Sequence, residues 1–175
     1  IEEGRYITAF VPQMANSPDN IDQFFATYPD GYLISILREP TTWYASASRH
    51  NSKIDVFGKV DTAMKYWCEN ADSMIRNKKR YKDRVILMHF ETLVGNPRST
   101  MMSLSAHLGI PFSNSLINPT FNGVSIAANS SFSQESSGIL TDAIDRTHHV
   151  TENDKRIIKD ETTSIYKDVK QLVEI

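Results

Sequence analysis

The sequence predicts an α/β fold in three layers, a central parallel sheet flanked by helices, and three observations predict it. Two runs, "YLISILR" (32–38) and "RVILMHF" (84–90), are nearly continuously apolar and β-rich, as strands buried on both faces are. Helical segments with recognisable start and stop residues lie between and after them. The order strand, helix, strand, helix, long helix, strand, helix is the alternation of a parallel sheet with crossover helices. At 175 residues the chain suits a single domain over 1–175 with a sizeable core.

Each element has its own justification. "RYITAFV" (5–11) is β-branched and aromatic enough for a strand. Ser17 then offers a helix cap, Pro18 a first helical position, and Ile21, Phe24 and Phe25 an apolar face. After the 32–38 strand, Pro40 opens a helix reaching about Arg49. From Val60 to Tyr81, Met64, Trp67, Ala71, Met74 and Ile75 fall at steps of three and four on one buried stripe. Beyond the 84–90 strand, Asn96 caps and Pro97 starts a helix that turns Leu104 and Leu108 inward and stops at Gly109. Residues 111–150 read as loop-rich. Thr151 with Asp154 resembles a capping box, opening a last amphipathic helix to about Val173.

Composition narrows the function. An apolar fraction of 40% and a charged fraction of 23% are those of an ordinary globular protein. A net charge of −2 gives no field to gather nucleic acid or an anionic membrane, and neither is an expected partner. No apolar run approaches membrane-spanning length and no signal-peptide pattern occurs. Cys68 is alone, which excludes an internal disulfide and favours a reducing compartment, so the expected location is cytoplasmic. The chain opens "IEEGRY" without methionine and reads as part of a longer protein.

The chemistry centres on Arg38. In parallel sheets, ligands bind beyond the carboxyl ends of the strands, and Arg38 sits at such an end. Its guanidinium is a planar fork of donors matched to phosphate or carboxylate oxygens. The helix starting near Pro40 brings backbone donors and a positive dipole end close by. Ser46 lies eight residues after Arg38. Both grip one anion only if the strand tip folds back beside the helix. The alternative is that Arg38 pairs with a carboxylate and Ser46 merely packs.

At these residues the sequence resembles the sulfotransferases that use 3′-phosphoadenosine 5′-phosphosulfate (PAPS). "YLISILREPTTWYASA" is similar to their 3′-phosphate segment: a strand ending in Arg, an acidic or Asn residue, Pro, and a Ser eight positions after the Arg. Arg38, Pro40 and Ser46 fit; Glu39 is longer than the usual Asp or Asn. Trp67 stands in the long helix where the family often has Trp. "RVILMHFETLVGNP" resembles the strand before Tyr-Glu-Asp-Leu, with Phe90 in place of Tyr and any hydroxyl contact to adenine lost. "NSSF" (129–132) is similar to a Thr-Ser-Phe segment, which implies that Ser130 bonds the base and Phe132 stacks on it. "SSGILTDAIDR" lies where an Arg-Lys-Gly loop covers the 3′-phosphate. Gly138 aligns, but Ser136 and Ser137 replace the cations. The wording looks most like bacterial members acting on small molecules or glycans.

The resemblance implies a P-loop NTPase-like sulfotransferase fold, incomplete at its N-terminal side. It implies PAPS as co-substrate, 3′,5′-phosphoadenosine as product, no metal, and a small-molecule or carbohydrate acceptor attacking through a hydroxyl or amine. Residues 1–31 hold no Gly/Ser/Thr loop able to cradle the 5′-phosphosulfate, which is expected upstream of Ile1. The zone "ITAFVPQMANS" matches the family's general-base region but has neither His nor Glu. Gln13, Asn16 and Ser17 are poor bases near neutral pH, so the base stays unassigned. This stretch alone is expected to be inactive. Two other readings are a non-catalytic nucleotide-binding α/β domain and a kinase-like transferase; the latter lacks a Walker-type loop.

Other features have structural readings. His50 follows a helix end, His89 lies within a strand, His107 falls in a late helical turn, and adjacent His148 and His149 lack a zinc-like spacing. "RNKKRYKDR" (76–84) suits a solvated helix end, with steering of an anionic acceptor as the alternative. Trp43 and Tyr44 are the acceptor-pocket candidates, one of them expected in the core.

Overall fold

The computed structural model describes residues 7–11, 14–49, 54–121, 124–125, 138–139 and 147–175. Its centre is a 2-stranded parallel sheet of β1 (Leu33–Leu37) and β2 (Val85–His89), with Leu33 opposite Val85 and Leu37 opposite His89. Between them run α2 (Pro40–Ala47), the short α3 (Ile54–Phe57) and α4 (Val60–Tyr81). Before them comes α1 (Pro18–Thr27). After them follow α5 (Phe90–Gly95), α6 (Pro97–Leu108) and α7 (Glu152–Lys170). A small antiparallel pair joins β3 (Thr120–Phe121) to β4 (Val124–Ser125).

The elements form largely for the reasons the sequence gives. Ser17 accepts from the Asn20 N–H, and Thr151 from the Asp154 N–H at 3.1 Å. Gly109 closes α6 in the left-handed region at φ 66°, where a side chain would be strained. Asn96 holds the N-cap position of α6, but its side chain caps nothing; its carbonyl takes the Thr100 hydroxyl at 2.9 Å instead. α3 and α5 have no counterpart in the expected element order. α2 ends two residues early and α7 three, each at a loosened last turn.

One face of the sheet is closed by α1, α4 and α7, which bury Ile21, Met64, Trp67, Ala71, Ile158 and Val169 against Leu37, Val85 and Leu87. The α4 stripe lies where periodicity puts it, with Met74 and Ile75 half-buried beside the core. The other face is covered only at β2, where Ile86 and Met88 meet Leu104. Ile34 and Ile36, opposite Ile86 and Met88 in register, stay 42% and 46% exposed. The expectation of a β1 buried on both faces is therefore corrected: among the described residues no helix lies over its second face. The 5–11 strand is corrected too. Residues 7–11 are irregular, with Ile7 and Phe10 almost fully exposed, because among the described residues no strand pairs with them; Arg5 and Tyr6 lie outside the described residues.

Candidate functional site

The carboxyl tips of β1 and β2 lie side by side, so Arg38 and Phe90, each just past a strand end, meet. The Arg38 guanidinium carbon stands 4.3 Å from the centre of the Phe90 ring. Such stacking orients the plane of the fork. Behind it, the Trp67 indole N–H donates to the Arg38 carbonyl at 3.2 Å, and the Tyr166 ring packs edge-on against Trp67.

Two carboxylates organise the start of α2. Glu39 caps its own helix, accepting from the Thr42 N–H at 2.7 Å and the Thr41 hydroxyl at 2.9 Å. Glu91, on the first turn of α5, accepts from the Glu39 N–H at 3.0 Å and the Thr42 hydroxyl at 3.2 Å. Of the backbone donors expected at the start of α2, the Thr42 N–H is taken by Glu39. The positive end of α2 already holds the Glu39 carboxylate. Glu39, the departure from the family wording, is what fills that end. Burial, with Glu91 and Glu39 nearby, pushes the Tyr166 phenol up to about 12, so it is a neutral hydroxyl at the floor of the site.

His89 Nδ1 lies 3.8 Å from Glu91 Oε2. Burial lowers the His89 pKa; Glu91 opposes the shift and Lys170 adds to it, which leaves the ring neutral near pH 7. A groove of about 550 Å³ runs from Glu39 and Thr41 along the face of α7 carrying Lys155, Lys159 and Lys170.

Of the residues singled out in the sequence, the structure brings together Arg38 and Phe90. Ser46 lies half-buried in the last turn of α2. Gly138 has φ 97°, which favours glycine, as a tight loop demands. Ser130, Phe132, Ser136 and Ser137 lie outside the described residues, as do Gln13 and His50. Asn16 donates to Asn70 and Ser17 caps α1, so both are structurally engaged. Tyr44 is the core member of its pair, while Trp43 joins an aromatic group with Phe57 and Tyr66 at 5.4 and 6.3 Å. Glu91 stands at the Glu of the Tyr-Glu-Asp-Leu resemblance, but the sequence assigns it no role.

The basic run is structural mortar more than a solvated end. Lys78 donates to the Lys82 and Val85 carbonyls and to Glu174 at 2.6 Å; Arg76 reaches the Asn16 carbonyl; Arg80 pairs with Asp22. Arg84 bonds the Pro29 carbonyl and stacks on Phe25. His107 meets the Asp83 carbonyl at 3.1 Å, and the His148 and His149 rings pack edge-on. Among the described residues no His, Cys, Asp and Glu group could hold a metal ion, and no helix is long and apolar enough to cross a membrane.

A parallel sheet with crossover helices, and an arginine just past a strand's carboxyl tip, define an α/β protein. A solved structure, "Sulfotransferase Domain from the Curacin Biosynthetic Pathway", shares this fold with a TM-score of 0.65 at 16% identity over 87% of this chain. The chain spans 60% of that structure's length. The family model described as "Sulfotransferase family" matches residues 2–114, more than half of the sequence. The chain belongs to the sulfotransferase family. No curated protein matches it at a significant level.

Proposed function

We propose that this chain is the 3′-phosphate and adenine side of a PAPS-dependent sulfotransferase, acting on a hydroxyl or amine of a small molecule or glycan in the reducing cytoplasm. The observation that carries the reading is the Arg38 guanidinium, set on Phe90 at the carboxyl edge of a parallel sheet in a chain of this family. The residues present fit the nucleotide in kind: Arg38 for the 3′-phosphate, Phe90 for the side of the base, and the Ser46 hydroxyl one short helix away. Ser130, Phe132, Ser137 and Gly138 complete the assignment. PAPS, when bound, supplies the sulfuryl group, and 3′,5′-phosphoadenosine is released after transfer. This chain's own part is to hold and orient, which is most of what catalysis of such in-line transfers requires.

The loop that orients the sulfuryl group is assigned to chain outside residues 1–175. Support comes from the exposed Ile34 and Ile36, since a parallel sheet normally has both faces covered. A strand pairing beyond β1 and a helix over its face would complete the sheet. Trp43, Phe57 and Tyr66 are the aromatic candidates for an acceptor wall.

The test is the melting temperature of the intact protein with 3′,5′-phosphoadenosine. At 100 times Kd the ligand stabilises by about 2.7 kcal/mol, and Arg38→Ala is expected to remove most of the shift. No shift in the wild type, or an equal shift in the variant, overturns the assignment. Binding without sulfuryl transfer from PAPS to any acceptor favours the non-catalytic nucleotide-binding reading.

A further inference from the structure

One peptide group at the strand tip is held from two sides by side chains of different helices. Its carbonyl, that of Arg38, accepts from Trp67 of α4 at 3.2 Å; its N–H, that of Glu39, donates to Glu91 of α5 at 3.0 Å. In a trans peptide these two groups point in opposite directions, so fixing both stops the plane from rotating. Glu91 also takes the Thr42 hydroxyl, tying the first turn of α2 to the same carboxylate. Trp67 is 5% exposed and pinned by Tyr166, and so is a rigid donor.

From this geometry we infer that Trp67 and Glu91 are positioning residues for anion binding by Arg38, an inference that rests on the nucleotide reading above. Neither need touch the ligand. By fixing the plane where β1 becomes α2, they fix the direction in which the Arg38 side chain leaves the backbone. Phe90 then holds its far end. An arginine so oriented loses less conformational freedom when it takes an oxyanion, and affinity rises by that saving.

The experiment is calorimetric titration of the intact protein with 3′,5′-phosphoadenosine, well below the melting temperature of every variant. Trp67→Phe and Glu91→Ala are each expected to raise Kd about tenfold, the scale of one lost hydrogen bond. Glu91→Gln keeps an acceptor oxygen at the same place and is expected to stay within about threefold of wild type. Either substitution added to Arg38→Ala is expected to cause no further loss, because residues acting through Arg38 have nothing left to position. Wild-type Kd in Trp67→Phe and Glu91→Ala, beside a weakened Arg38→Ala, overturns this inference alone. Losses that add fully to that of Arg38→Ala overturn it as well. An unchanged Kd in Arg38→Ala overturns the nucleotide reading itself. Trp67→Phe opens a cavity in the core; should it fail to fold, the contrast between Glu91→Ala and Glu91→Gln, at a partly exposed residue, decides.

Discussion

Arg38 and His89 stand at neighbouring strand tips under opposite constraints. Arg38 keeps its charge in any surroundings; His89 gives its charge up. Its lowered folded pKa means that the unfolded chain binds more protons at pH values between that folded value and 6.5. The stability it contributes is complete above 6.5 and is lost as pH falls toward the folded value. Thermal melts from about pH 8 down to about pH 5 should therefore show a falling melting temperature, with a shallower fall in His89→Gln. Equal slopes would assign the dependence to another group. Arg38 was legible because its position, at the end of an apolar run and before Pro40, is a one-dimensional pattern. The role of Glu91 was not, since its partner Glu39 is 52 residues away and only the parallel pairing of β1 with β2 brings them together.

At the scale of elements, α4 ends without the residue its geometry favours. Lys82 follows it at φ 48° and ψ −118°, a conformation costly for any side chain. Lys82→Gly should relieve that strain and raise stability by about 0.5–1 kcal/mol, because the Lys82 carbonyl remains to accept from Lys78. A denaturant midpoint no higher than wild type would show that the lysine side chain contributes more than the strain removes. Helix starts at Ser17, Pro18, Pro40, Pro97 and Thr151 were readable because capping is local chemistry. The Lys82 turn was not, because the sequence there carries neither Gly nor Asn. The interior role of "RNKKRYKDR" was hidden for a related reason: cations look solvated until their partners, Asp22, Pro29 and Glu174, are seen from other parts of the chain.

For the whole molecule, among the described residues, the sheet is closed on one face and half-open on the other. Residues 1–175 expressed alone should self-associate through the β1 edge and the Ile34–Ile36 face, as bare apolar edges do. Ile36→Lys should reduce that association in sedimentation analysis, yet destabilise the intact protein by about 1.5–3 kcal/mol if the face is covered there. Unchanged sedimentation would place the contact elsewhere. The α/β alternation was legible from apolar runs and periodicity. Which faces of β1 are covered was not, because a doubly apolar strand states a requirement without naming what satisfies it.

The tail after α7 has a further consequence, for the order in which the protein assembles. The Glu174 N–H bonds the Leu87 carbonyl and the His89 N–H bonds the Ile175 carbonyl, while Glu174 also anchors Lys78. β2 is thus bordered by residues synthesised long after it. At about 5–20 residues per second, the ribosome releases them roughly 4–17 s later. Through that interval β1, α4 and β2 can collapse together, but β2 keeps unsatisfied backbone groups at the tip that carries His89 and leads into Glu91. Nascent chains halted before residue 174 should remain open to protease at that tip, and addition of Glu174 and Ile175 should close it.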